Sequence, residues 1–280
     1  MNPATGRRLR LSLPRRLLCD MLHFARQVPS VPVQRRLNLS RVIAARESAV
    51  PRPGWCAIFT KAFALLASKR PELRRSYLSF PWPHIYEHAE SVATVTVERQ
   101  FEGEEAVFFV PIQNPTAFSL ARIDARLRHC KNFPVRSIGA FRRFLLIGKI
   151  PRPLRRLIWW LGLNCLPRKR ADMFGTYGVT VYAGLGAASL HPLSVLSATL
   201  NYGVIEPDGS VDVRLVYDHR VLDGATVARA LRDLEEVLNG AIVDELTGVL
   251  QPGVEPELSA SEKTDGGCVT AYTSRTRIID

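Results

Sequence analysis

The chain has 280 residues, 46% hydrophobic and 23% charged, a balance that suits a soluble globular protein and excludes fibrous or low-complexity classes. No apolar run reaches the ~18 residues of a bilayer span. Five scattered cysteines (Cys19, Cys56, Cys130, Cys165, Cys268), never spaced C-x-x-C, argue against a metal site or a disulfide framework and for a reducing compartment, most simply the cytoplasm. The net charge of +12 comes from 32 Arg and 6 Lys; it favours phosphate-bearing partners or reflects arginine-rich coding.

In chain order, residues 1–14 are a basic segment whose following apolar stretch is broken by Asp20, with no cleavage site of the signal-peptide kind. "PRRLLCDMLHFARQ" reads as a basic helix. "CAIFTKAFALLASKRPELRRSY" reads as a buried helix with Phe59, Phe63, Leu66 and Ala67 on one side and Pro71 ending it. "SVATVTVERQ" alternates like a strand and "EEAVFFVPI" is a second, apolar one. "SLARIDARLRHC" returns to helical spacing. Its adjacent His129 and Cys130 are a nucleophile pair on paper, but neighbours on a helix point about 100° apart.

Residues 141–170, "FRRFLLIGKIPRPLRRLIWWLGLNCLPRKR", hold nine basic residues and no acid. The second half suits an amphipathic helix touching a membrane surface or an anionic ligand. The more ordinary expectation packs Trp159 and Trp160 in the core with the arginines facing water. "GTYGVTVYAGLG" is a strand bounded by glycines, and "LSATLNYGVI" and "VDVRLVY" flank the turn "EPDGS" as an antiparallel hairpin. In "ATVARALRDLEEVLNG", Val227, Leu231, Leu234 and Leu238 share one helix face, and Gly240 marks a stop. From 249 to 280 the chain is polar and aperiodic, and disorder is expected there. One domain over residues 15–248 remains.

Between hairpin and final helix stands "YDHRVLDGA". It places His219 on a strand-to-helix turn, flanked by Asp218 and Arg220. Asp223 is at the expected N-cap, where a carboxylate can bond free amides of the first turn. Gly224 leaves room where the turn is tightest. The positive end of the helix disfavours a charged imidazole, and a neutral histidine can act as a general base.

"DHRVLDGA" resembles the signature of the dihydrolipoamide acyltransferase catalytic core of 2-oxo acid dehydrogenase complexes, which shares its H-x-x-x-D-G pattern and fold with chloramphenicol acetyltransferase. Upstream, "IFTKAFALLASKRPEL" is similar to that family's lysine-containing helix, and "GTYGVTVYAGLG" to its "GTFT-I-S-x-LG" strand. The resemblance spans roughly residues 15 to 245. It implies an α+β two-layer sandwich, with helices packed on a mixed β-sheet. It also implies a thioester-dependent acyltransferase in which His219 takes the thiol proton of coenzyme A or dihydrolipoamide. Asp223 matches an aspartate that steadies the histidine loop, commonly paired to an arginine. Thr180 matches the serine whose hydroxyl binds the tetrahedral oxyanion, with Ser189 as a substitute donor. Asp218, Arg220 and Gly224 would shape the site.

The family's trimer, with histidine and hydroxyl from neighbouring subunits, implies a homo-oligomer. None of the six lysines has the Asp-Lys-Ala setting of a lipoyl attachment site. The acyl group is therefore expected on coenzyme A, on a carrier protein, or on another chain's lipoyl group. A catalytically silent scaffold subunit is the alternative. Nucleic-acid binding rests on charge alone and is not expected.

Overall fold

The computed structural model describes residues 6–249. The expected tail therefore lies, from residue 250 on and with Cys268, outside the described residues. The helices are α1 (Leu13–Ala25), α2 (Ser40–Ser48), α3 (Trp55–Lys69), α4 (Leu120–Asn132), α5 (Gly139–Lys149), α6 (Arg152–Asn164), α7 (Pro167–Phe174), α8 (Gly224–Val237) and α9 (Val243–Leu246). The strands are β1 (Ser30–Asn38), β2 (Arg75–Leu78), β3 (His84–Glu87), β4 (Val92–Phe101), β5 (Glu104–Gln113), β6 (Tyr177–Val179), β7 (Ala198–Ile205) and β8 (Ser210–Asp218). Six strands form a mixed sheet in the order β1-β8-β7-β6-β4-β5, and β2-β3 form a separate hairpin. The fold is α+β, as the sequence led us to expect.

Alternation along the central strands assigns their two faces. Ala93, Val95, Phe108, Val110, Tyr177, Val179, Leu200 and Leu215 face the main core, which also takes Phe59 and Phe63 of α3, Ile123 of α4 and Leu231 of α8. The second face is partly covered by a smaller core of Phe24, Trp159, Leu163, Phe174, Val195 and Leu196. Here α5 wraps the edge strand, with Phe144 touching both Phe108 and Phe109 at 5.8 Å between ring centroids. An edge covered by a helix cannot recruit a further strand.

The helix begun at Trp55 stops at Lys69, as expected, with Pro71 opening a short 3-10 turn. Other local expectations change. Gly240 ends nothing: a π turn over Leu238–Ile242 carries α8 into α9. The "GTYGVTVYAGLG" strand is only three residues long. Gly175 precedes it at φ +90°, where an added Cβ would meet the Val92 carbonyl at 3.0 Å and strike Thr94 Oγ1. β1 carries no strong signal in the sequence because it is an edge strand, mostly exposed, paired to β8 alone. Its Pro32 is compatible only with such a position.

No helix of the described residues is long and apolar enough to cross a membrane. The cysteines among the described residues are free thiols. Cys130 lies in the main core and His129 stacks on Phe133 at 4.1 Å, which removes the thiol of that pair from any solvent-reached site.

Candidate active site

β8 delivers His219, and hydrogen bonds fix the backbone on both sides of it. The Asp218 amide donates to the Ser197 carbonyl (3.0 Å) and the His219 amide to the Pro29 carbonyl (3.0 Å). Val221 and Leu222 then turn their amides back to the Asp218 carbonyl at 3.0 and 3.1 Å. The Asp218 side chain is 1% exposed. Its carboxylate accepts from the Arg220 amide (3.0 Å), Nε (2.9 Å) and Nη2 (2.7 Å). Charged, two-pronged pairs of this kind are among the stronger hydrogen bonds in proteins. The Arg220 guanidinium also lies 4.1 Å over the Tyr77 ring. The imidazole between them is half exposed, 48%. A fixed backbone carrying an accessible imidazole is what a proton acceptor needs.

Two neighbours behave differently from expectation. Asp223 does occupy the N-cap of α8, but its side chain makes no capping bond. It is 84% exposed, with Oδ1 3.8 Å from His219 Nδ1, too far for a hydrogen bond. The arginine-paired aspartate of this loop is instead Asp218, one residue before the histidine. Gly224 is the first residue of α8, and an added Cβ would meet Tyr217 Oη at 3.4 Å, an ordinary contact. Space does not require a glycine there.

Thr180 follows β6 directly. Tyr177 and Val179 point to the main core, so Gly178 and Thr180 point to the second face. Its amide donates to the Leu200 carbonyl (3.0 Å) and its carbonyl accepts from Asn201 Nδ2 (2.6 Å). Register decides its relation to His219. Val179 pairs with Leu200, and Leu200 with Leu215 on antiparallel β8. Thr180 therefore lies one residue beyond that line in one direction and His219 four residues beyond it in the other. At ~3.4 Å per residue this is roughly 17 Å along the strands, with two strand spacings added across the sheet. One chain does not bring the two side chains together. Ser189 does not close the gap: its carbonyl accepts from Arg214 Nη1 at 3.2 Å, and Arg214 pairs with Asn201, at the Thr180 end of the sheet.

The structure adds groups that the sequence did not single out. Ser197, just before β7, and Thr199 and Asn201 on its second face are each buried, and Ser197 Oγ, Thr199 Oγ1 and Asn201 Oδ1 have no hydrogen-bond partner among the described residues. Buried polar atoms without partners are uncommon and mark this strip, next to Thr180, as chemically available. His191 Nε2 meets Ser30 Oγ at 2.8 Å, and Ser30 pairs with Asp218, which sets a second histidine beside the His219 loop. Only long-range strand pairing creates these neighbourhoods, so no local pattern signals them. Arg170, nearly buried, donates to the Leu163 and Val195 carbonyls at 2.7 and 2.9 Å. Burial lowers its pKa to about 10, against the opposing field of Asp218.

A cavity of about 710 Å³ opens on the second face, lined among others by Thr94, Phe109, Phe144, Trp159, Phe174 and Leu196. It is the size of a small-molecule pocket, but neither His219 nor Thr180 lines it. No histidine stands among the residues that line it.

No family model and no curated protein matches the chain. Solved structures do. A probable dihydrolipoamide acetyltransferase from Listeria monocytogenes aligns at TM-score 0.61 and 17% identity, over 83% of this chain and 94% of that one. The dihydrolipoamide acetyltransferase of Azotobacter vinelandii aligns at 0.63 and 17%, over 86% and 96%. The catalytic core of a 2-oxoacid dehydrogenase complex from Thermoplasma acidophilum aligns at 0.60 and 15%, over 84% and 99%. The chain thus has the fold of dihydrolipoamide acetyltransferase catalytic domains, which agrees with the resemblance its motifs carry. At such identities the likeness is one of fold.

Proposed function

We propose that the protein is a thioester-dependent acyltransferase in which His219 is the general base. The observation that carries this reading is the histidine loop, with its backbone fixed on both sides of a half-exposed imidazole. The fold supports it, and so does the Azotobacter enzyme, whose catalytic mechanism has been examined through a serine, a histidine and an asparagine. That histidine and asparagine stand four positions apart, as His219 and Asp223 do.

In the proposed reaction the imidazole takes the proton of an acceptor thiol, and the resulting thiolate attacks the carbonyl carbon of an acyl thioester. The Thr180 hydroxyl, or a neighbour on the buried strip, donates to the tetrahedral oxyanion. The intermediate collapses, the carbon–sulfur bond to the first thiol breaks, and the leaving thiolate recovers a proton from the imidazolium. Because register separates Thr180 from His219 within one chain, this site needs a second copy to supply one of the two. A homo-oligomer, a trimer on the family pattern, is part of the proposal. Coenzyme A, a carrier protein or another chain's lipoyl group would bring the acyl group.

The test is thiol release from short- to long-chain acyl-coenzyme A thioesters with dihydrolipoamide as acceptor, comparing the wild type with His219→Ala. Turnover lost at least about a hundredfold in the variant supports the base role. Turnover unchanged by the substitution removes His219 from the chemistry. No turnover and no coenzyme A binding by an intact oligomer would favour the silent scaffold instead.

A further inference from the structure

Helix α6 turns to water part of the side expected in the core. Of its two tryptophans only Trp159 enters the core, stacked between Phe24 and Phe174; Trp160 is 37% exposed. Arg155, expected at the surface, is buried and ion-paired to Asp20 of α1. The outward positions hold Leu154, Leu157 and Leu161, 52%, 50% and 39% exposed. Residues 154, 157, 160 and 161 fall on one stripe of a helix. It extends beyond α6, because Phe80 in the β2–β3 turn meets Trp160 edge-on at 5.9 Å and Ser79 Oγ donates to Asn164 Oδ1 at 2.6 Å. Phe80 and Trp82 are themselves 50% and 70% exposed. Single exposed leucines are ordinary, but a stripe of leucine and tryptophan across two elements marks an interaction surface.

Charge says what covers it. On α5–α7, Arg142, Arg143, Lys149, Arg152, Arg168 and Lys169 are exposed, and the one acid of these helices is Asp172. Leucine and tryptophan on a helix set among Arg and Lys are the composition of helices that lie in the headgroup region of a bilayer. A two-fold contact between copies through this stripe would bring two sets of like charges together; the trimer proposed above joins different faces of its copies, so the oligomeric state is read in the test below.

We propose that the outward face of α6, together with the Phe80–Trp82 turn, docks on the surface of an anionic lipid bilayer. Leu154, Leu157, Trp160 and Leu161 enter the headgroup region, and exposed Arg and Lys side chains of α5–α7 meet lipid phosphates. The inference is independent of acyl transfer.

The test is co-sedimentation of the full chain with vesicles of phosphatidylcholine alone, or with about one-third phosphatidylglycerol. We expect binding to the anionic vesicles only, weakened by salt, with a blue shift of tryptophan emission. The double variant Leu157→Glu/Trp160→Glu should lose at least about tenfold in partitioning, with circular dichroism unchanged because both positions are exposed. A charge variant, Arg152→Glu/Arg168→Glu, should lose binding as well and leaves the apolar stripe intact. Failure of the wild type to bind anionic vesicles overturns the proposal. So does binding that the apolar double variant leaves unchanged. If that variant alters only the oligomeric state, the stripe is a contact between copies and the proposal is equally overturned.

Discussion

Asp218 and Arg220 clasp each other across His219: the buried carboxylate takes three hydrogen bonds from the arginine two residues on, and the histidine between them is left accessible. Removing the carboxylate strands a guanidinium and a backbone amide. Asp218→Ala should therefore cost about 2–4 kcal/mol in urea unfolding. It should also lower kcat more than KM, because the loop that aims the imidazole loosens. Asp218→Asn keeps part of the bonding and should fall between the two.

The separation of Thr180 from His219 gives a test that needs no structure of the assembly. Thr180→Ala should lose about tenfold to a thousandfold in kcat, and Thr180→Ser should retain most activity. If the two side chains work together only across copies, Thr180→Ala and His219→Ala chains mixed under subunit exchange should recover part of the lost activity. Wholly additive inactivity in mixed oligomers would place the oxyanion donor elsewhere.

The buried pair of Asp20 and Arg155 ties α1 to α6, with Arg155 Nη1 also donating to the Ile150 carbonyl at 2.9 Å. Taking away one partner leaves an uncompensated buried charge. Asp20→Ala should cost about 3–5 kcal/mol, measured by thermal or urea unfolding. The double variant Asp20→Leu/Arg155→Met should recover much of that loss, since replacing both charges removes the desolvation cost of both.

His88 carries a pH dependence. Burial, followed by the fields of Arg170 and Arg74, lowers its pKa from 6.5 to about 4. The folded state therefore holds the ring neutral, with Nε2 3.1 Å from Ser76 Oγ, while the unfolded chain takes up a proton near pH 6.5. Its contribution to stability is complete above that value and declines as the pH falls from about 6.5 to about 4, by roughly 3 kcal/mol. His88→Gln should flatten that part of the stability profile, read as urea midpoints across the range.

Much was legible in the sequence because it is encoded locally. The turn at "EPDGS", with Gly209 at φ +83°, joins β7 to β8 as expected, since only a few residue types suit that backbone. Val227, Leu231, Leu234 and Leu238 are all buried, because helical periodicity alone dictates a shared face. His219 stands on the strand-to-helix turn that its motif implies. The α5–α7 segment misled in part. Periodicity shows that α6 has two faces but not which one a neighbour will cover, and Asp20, 135 residues away, decides that Arg155 goes inside.

The sequence by itself determined the longer helices, the β7–β8 hairpin, the histidine turn and the resemblance in fold, because dihedral preference and hydrophobic period act over a few residues. Tertiary structure alone decided that Asp218 rather than Asp223 holds the arginine and that Ser197, Thr199 and Asn201 form a buried polar strip. It also set Thr180 and His219 at opposite ends of their strands. Those outcomes follow from strand register and from which charges find partners on burial, and both depend on segments far apart in the chain.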